Sequence, residues 1–439
     1  MQKIKACFYK RPVLLVLLLI IFGTIIIDNL CGVIIFRNHY LMHYKEAVSY
    51  RYLIISNKKE TKKCYSYTAK VVAYCDKDSI WKDCEGKIKI YVNKKTKEKF
   101  ALQDFQYGDL IESNDNITPI TNSKDIIFDY KLYMRRKRIY DNVFLYNFKL
   151  IDKNKGNFFV SKALKVNNIL QNRLDESSLK TKEKALAKAM LLGDKNELPI
   201  EVKQSFSTAG LAHLLCVSGL HIMMIIGAFL YLFRFIGFYN EYSIYAKNIF
   251  AVILAWIIAF IVGLTPSSIR IALMISILLF TKLTSLCHDK LNIFYLTALI
   301  FLLFDPLLLY NISFELSFLS VWGILLLKDK IKFWIERLLH KKVNVFGGKI
   351  ISNICTTTSA QVFTLPIIII NFKQLPIFAL LCNLIVVPLM QVILISILML
   401  IVFANIPIIG QIIGWICNIE MDFLLFVASF TDKISNLLI

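Results

Sequence analysis

From Leu211 to the C-terminus the chain is a series of apolar runs broken by one basic interruption, Lys328–Lys349, and this series constrains the fold more than any other feature. Leu211–Phe238, Ile244–Leu264, Ile269–Leu286, Leu291–Leu309, Ile312–Leu327, Ile351–Ile370, Ile377–Phe403 and Ile408–Phe430 each approach the length a helix needs to cross a bilayer. Backbone in lipid must satisfy its own hydrogen bonds, which in an open chain means helices. Only 19% of the 439 residues are charged and 56% are apolar, whereas a soluble domain carries about 25% charged residues. A water-soluble enzyme and a disordered chain are both excluded. With one more apolar run at Pro12–Ile27, the pattern predicts a polytopic α-helical membrane protein of roughly 8–9 spans.

The N-terminal stretch Met1–Arg11 holds Lys3, Lys5, Lys10 and Arg11 and no acid. No small-x-small cleavage site follows the first apolar run, so residues 1–36 read as a retained anchor. Its basic flank places the N-terminus in the cytoplasm. The next, polar segment is then delivered outside.

The net charge is +21, and most of the excess falls between Arg37 and Lys203. A basic surface favours a polyanion, whether nucleic acid, anionic lipid or a teichoic-type polymer. A Lys-rich composition that simply solvates a surface reads the same way. Residues 50–150 switch to period-two alternation. Tyr65–Cys75 and Gly86–Val92 read as a hairpin around the polar turn Asp76–Asp83, and Phe100–Ser113 and Val143–Leu150 read as further strands. Strands this short and close together predict a small β-barrel. Cys75 and Cys84 flank the turn and are candidates for a disulfide if the segment faces an oxidising compartment. Residues 151–205 form a connector in which Ser161–Met190 reads as an amphipathic helix lying on the membrane or leading back to it. Residues 206–439 form the multi-span domain. Neither CxxC nor HExxH spacing occurs, nor a phosphate-binding G-x-x-x-x-G-K-[ST], so no metal, cofactor or nucleotide motor is expected in this chain.

Several polar residues stand out against the apolar background. His213, Ser218 and His221 lie where the multi-span domain begins, and His213 and His221 share a face if the helix is unbroken. Gly210 and Gly219 predict a break there, which would turn free backbone N–H groups towards an anion. The residues suit either a polar lining for a phosphodiester or ordinary helix–helix hydrogen bonding. Ser218 with a nearby His also superficially resembles an intramembrane serine protease, but the base should come from another element, and His288 lies in a loop. Arg270, Asp305 and Glu315 are charges at membrane depth, where pairing with each other or a place along a passage is the rule. Pro366, Asn383 and Pro388 read as helix breaks facing a cavity. In the polar segment, Arg135, Arg136, Lys137 and Arg138 lie among Tyr130, Tyr133 and Tyr140. That mixture suits single-stranded nucleic acid or a helix lying on anionic lipid. Lys87, Lys89 and Tyr91 line one face of a predicted strand and form the better candidate surface for a strand of DNA.

One stretch is more specific: Ala189–Met223, AMLLGDKNELPIEVKQSFSTAGLAHLLCVSGLHIM. It resembles the signature that opens the channel domain of the ComEC competence family. Further landmarks follow the family's order: Phe128–Tyr133 (FDYKLY), Pro266–Met274 (PSSIRIALM), Asp305–Val321 (DPLLLYNISFELSFLSV) and Leu375–Pro388 (LPIFALLCNLIVVP). Glu315 stands where the family usually has Gln, and Ile271 where Ala usually follows the Arg.

The resemblance implies an inner-membrane channel for transforming DNA, with an extracytoplasmic OB-like all-β domain that binds single strands. The reaction is translocation rather than bond chemistry. The path would run past His213, Ser218, Gly219, His221, Arg270, Asp305, Glu315 and Asn383. The expected partners are single-stranded DNA, the lipid bilayer, a surface DNA receptor and a cytoplasmic helicase-like ATPase. A second copy of the chain is compatible with this reading. Many members end in a metallo-β-lactamase-like domain, and no HxHxDH motif stands in this sequence, so the chain reads as a short form with its nuclease supplied separately. Transport of another anionic polymer, or of its precursor, is the alternative on the same scaffold.

Overall fold

The computed structural model describes residues 12–31, 39–43, 46–60, 64–94, 104–122, 129–232, 241–283, 289–339, 345–372, 376 and 378–438. Phe128 and His288 lie outside them. The chain divides into two units, Ile21–Lys162 and Ala163–Ile439 with Met1–Ile20. Helix α1, Pro12–Cys31, holds the first apolar run.

The Ile21–Lys162 unit is built on a nine-stranded sheet: β1 Ser49–Ile54, β2 Lys59–Glu60, β3 Cys64–Cys75, β4 Trp81–Asp83, β5 Lys87–Asn93, β6 Leu110–Ser113, β7 Ile117–Pro119, β8 Ile139–Leu145 and β9 Phe148–Asp152. The main order is β7-β8-β5-β3-β1-β6-β9, with β2 and β4 also on β3. All pairs are antiparallel except β5 with β8. Alternation supplies the core: Tyr52 and Ile54, Tyr67, Ala69 and Val71, Ile88 and Ile90, and Val143 all turn the same way and are buried. A short helix, α2 (Tyr130–Arg136), packs Met134 on Ile120 and Ile139, and the Asp129 carboxylate caps it at Leu132 N (2.8 Å).

Three expectations are revised in this unit. First, the run around Val143–Leu150 is two strands rather than one. The Asp115 carboxylate accepts from Tyr146 N (2.8 Å) and Asn147 N (3.1 Å) and holds the turn between β8 and β9. Second, residues 100–103 of the predicted strand Phe100–Ser113 lie outside the described residues, and of the rest only Leu110–Ser113 is strand, entered through Gly108 (φ 89°) and Asp109. Third, Cys75 and Cys84 are free thiols. The Asp76 carboxylate accepts from Asp78 N and Ile80 N and closes the turn early. Cys75 then pairs with Trp81, while Cys84 N bonds to Val72 O three residues further along the ladder. Among the described residues β7 and β9 do not pair with each other, and the described strands form an open path.

The second unit is helical. Helices α3 (Phe158–Glu176) and α4 (Thr181–Ala187) replace the single helix expected over Ser161–Met190, with the break at Ser177-Ser178. α4 runs into a π-helical turn, Lys188–Leu192, ended by Gly193 in the left-handed region (φ 79°). There follow α5 (Ile200–Thr208), a 3-10 turn at Ala212–Leu215, α6 (Gly219–Leu232), α7 (Glu241–Ile261), α8 (Pro266–Leu283), α9 (Lys290–Phe304), a 3-10 turn at Pro306–Tyr310, α10 (Ile312–Leu339), α11 (Val345–Phe372), α12 (Ala379–Phe403) and α13 (Pro407–Leu438). Three stretches, Ile350–Asn371, Ala379–Phe403 and Pro407–Ser435, are long and apolar enough to cross a membrane. Five other apolar helical stretches, Val16–Ile26 of α1 among them, are shorter. α10 continues to Leu339 through much of the expected interruption, and α11 and α12 run on through Pro366 and Pro388, which therefore do not end helices.

The core of the unit joins the connector to the last two helices. Leu186, Met190 and Phe206 pack with Leu394, Ile397, Leu400 and Leu424. Apolar contact of this kind positions the connector. Asn167 of α3 ties it further, donating from Nδ2 to Leu192 O (3.3 Å) and Ile261 O (2.8 Å).

Candidate functional site

On the sheet, Lys87, Lys89 and Tyr91 lie on the face of β5 opposite the core, as alternation requires. Lys87 is exposed. Lys89 is 9% exposed, with its ammonium 3.5 Å from Thr68 Oγ1. Burial, reinforced by Lys59 and Lys137, pulls its pKa down to about 8. The parallel register sets Tyr91 beside Phe144 of β8, and the two rings stack with centroids 5.1 Å apart. Tyr130 of α2 closes the row, its hydroxyl 3.5 Å from that of Tyr91. Phe144 is 42% exposed and Tyr146, at the end of β8, 57%.

The basic run borders this face. Arg135 and Arg136 are half-buried, Lys137 and Arg138 are exposed, and Lys137 lies over the Tyr133 ring at 4.1 Å. Cations and open aromatic rings are therefore interleaved on one side of the sheet, the arrangement that favours phosphates and unstacked bases together. Phe144 escaped the motif reading. The signal for it was the strand alternation that leaves Phe144 outside while Val143 and Leu145 turn in.

In the helical unit the chain does break at the two glycines. Gly210 has φ 71°, and a Cβ there would meet the Cβ of Ala379 at 2.3 Å. A Cβ on Gly219 would meet Ile271 Cδ1 at 2.5 Å. His213 thus belongs to the 3-10 turn and is exposed, whereas His221 lies in the first turn of α6 and is fully buried. The two do not share one helical face as an unbroken helix would require. Ser218 caps α6, its Oγ accepting from His221 N (3.3 Å). Neither ring nitrogen of His221 has a hydrogen-bond partner, so the Ser218–His221 pairing that a protease needs is not formed.

Arg270 is 4% exposed with an unpartnered Nε. Its guanidinium lies over Phe318, 5.1 Å from the ring centroid. The expected ion pairs with Asp305 and Glu315 are not formed among the described residues. Asp305 caps the 3-10 turn at Leu307 N (3.3 Å), and Glu315 stands in the first turn of α10, one turn before Phe318. Asn383 in α12 is buried with an unpartnered Oδ1. The His221 ring nitrogens, Arg270 Nε and Asn383 Oδ1 are polar atoms shut away from solvent without a hydrogen-bond partner within the chain, a costly condition for each.

The connector holds a buried cation of a different kind, which sequence reasoning did not single out. Lys188 is 2% exposed, and its ammonium meets Asp175 at 2.6 Å and Glu197 at 2.8 Å. Here the charge is satisfied, which marks a structural role.

The family model described as Competence protein matches residues 190–439, a region that opens inside the π-helical turn. ComE operon protein 3 of Bacillus subtilis (strain 168) is 24% identical over 261 residues, covering 60% of this chain and 31% of that protein. An uncharacterized protein of Aquifex aeolicus (strain VF5) is 26% identical over 239 residues, covering 54% of each chain. The chain thus accounts for about a third and about a half of the lengths of these curated relatives. No solved structure matches it.

Proposed function

The chain belongs to the competence protein family, and from that premise we propose that it is a membrane passage for single-stranded DNA during uptake. The observation that carries the reading is the coincidence of the family match with a helical unit that buries the His221 ring nitrogens, Arg270 Nε and Asn383 Oδ1 without hydrogen-bond partners. A helical bundle with no polar cargo has no reason to keep such groups. In this reading residues 50–150 form an OB-like domain outside the cell. Lys87, Lys89, Arg135, Arg136 and Arg138 hold the phosphates there, while Tyr91 and Phe144 stack on bases. The strand then enters a bundle of eight or nine crossings near His213, Ser218, Gly219 and His221, and passes Arg270, Asp305, Glu315 and Asn383.

The work done is translocation. Force, strand degradation and capture at the surface fall to a helicase-like ATPase, a nuclease and a DNA receptor. The N-terminus lies in the cytoplasm.

Binding of a labelled oligonucleotide to the full chain in nanodiscs tests the reading. Single strands should bind better than duplex, and the affinity should fall steeply with salt as phosphate counterions are released. Equal affinity for a teichoic-type polymer would favour transport of another anionic polymer instead.

A further inference from the structure

The first turns of α6 and α8 lie side by side. Ser267 Oγ, in the first turn of α8, donates to Val217 O, two residues before α6 begins (3.2 Å). Ile271 of α8 fills the space beside Gly219, and Arg270 Nη2 lies 3.6 Å from where a Gly219 Cβ would stand. Each helix spends its cap on a single donor. Ser218 Oγ takes His221 N (3.3 Å), and Thr265 Oγ1 takes Ser268 N (3.4 Å). The N–H groups of Gly219, Leu220 and Ser267 remain in first turns, where no intrahelical acceptor exists.

Electrostatically this is an incomplete arrangement. Each helix N-terminus acts as roughly half a positive charge, and the buried Arg270 guanidinium adds a full one. Among the described residues no carboxylate pairs with it. Two positive helix ends brought together beside a buried guanidinium repel it and one another, and an anion between them would relieve that repulsion. The unpartnered Arg270 Nε and the first-turn N–H groups offer donors suited to a tetrahedral oxyanion.

We propose that the Arg270 guanidinium and the paired N-termini of α6 and α8 form a phosphate-oxyanion site. The inference rests on the proposed passage of DNA only for the source of the phosphate, which a phosphodiester strand, a lipid headgroup or free phosphate could each supply.

Cys216 reports on the site. It is exposed two residues before Ser218, and its sulfur accepts from Lys195 Nζ at 2.6 Å. The experiment follows alkylation of the Cys216 peptide by mass spectrometry in the full chain, held in phosphatidylcholine nanodiscs. A bound anion nearby disfavours the reactive thiolate, so saturating inorganic phosphate should slow the reaction by about threefold or more. Arg270→Gln should abolish the protection and Arg270→Lys should retain part of it, which separates charge loss from misfolding. An unchanged rate in the wild type, or protection that survives Arg270→Gln, overturns the site. Protection in phosphatidylglycerol nanodiscs without added phosphate would identify the headgroup as the source. Protection by phosphate but not by an oligonucleotide would keep the site and remove DNA as its ligand.

Discussion

Tyr91 and Phe144, 53 positions apart in the chain, stack at 5.1 Å because β5 and β8 run parallel and in register at those two residues. The pair places an exposed ring beside Lys89 and Lys87, on the side of the sheet that the core does not use. Replacing Phe144 by Ala should leave the sheet folded, since the ring is 42% exposed. Stacking on an aromatic ring is worth about 1–3 kcal/mol per base, so single-strand affinity should fall between about fivefold and 150-fold. Fluorescence anisotropy with a labelled oligonucleotide reads the change, and duplex binding should move much less.

Lys89 ties stability to pH. Its folded pKa is about 8, below the model-peptide value of 10.5. Between those values the unfolded chain binds the extra proton, so stability rises as pH climbs from about 8 towards 10.5. Below about 8 the cost of the buried charge is fully present. Lys89→Met should therefore stabilise the sheet unit at neutral pH, by on the order of 2 kcal/mol. It should also flatten the alkaline rise in melting temperature. A variant that melts with the same pH dependence as the wild type would contradict this role.

Cys84 is buried, and burial together with the charges of Asp83 and Glu85 pushes its thiol up to about 12. At pH 8 it should resist iodoacetamide in the folded chain and react on unfolding, with or without reductant. Mass spectrometry of the Cys84 peptide decides the matter. A Cys75–Cys84 disulfide peptide, released only by reductant, would refute the free-thiol geometry.

Much of this architecture was legible in the sequence. Tyr65–Cys75 and Gly86–Val92 alternate so regularly that β3 and β5 appear within a residue of their predicted ends. Gly210 and Gly219 marked the break before α6 because close approach, to Ala379 and Ile271, tolerates no side chain there. What escaped was whatever depends on distant partners. The turn at Tyr146-Asn147 exists because Asp115 reaches it from another part of the chain. Proline predicts a helix break, yet Pro366 and Pro388 sit inside continuous helices, as membrane bundles allow. The sequence pairs Arg270 with Asp305 or Glu315 as the charges at membrane depth. Both acids stand at the starts of their own elements, and the guanidinium turns to Phe318 and Gly219 instead.

Lys188 and the Gly210 contact give two tests of the connector. Removing both carboxylate partners of Lys188, as in the double change Asp175→Asn with Glu197→Gln, strands a buried ammonium. That should cost about 3–5 kcal/mol, whereas Lys188→Met removes the charge and should cost less. The order of melting temperatures checks the comparison, and equal losses would contradict it.

Gly210→Ala combines a left-handed φ of 71° with a Cβ 2.3 Å from that of Ala379. It should destabilise the helical unit by about 1–3 kcal/mol. Ala379→Gly should recover the steric part of that loss in the double variant. Failure of the second change to restore any stability would place the defect elsewhere.

The account stands or falls on passage of DNA, and DNase-protected uptake measures that most directly. Labelled DNA is offered to cells that express their competence machinery but lack this chain, with the gene restored as wild type, His221→Ala or Arg270→Gln. The account predicts that deletion abolishes protected uptake, that the wild type restores it, and that the two variants do not, although all three accumulate equally in the membrane. Uptake unchanged by deletion under those conditions would contradict the central claim and leave another anionic polymer as the cargo.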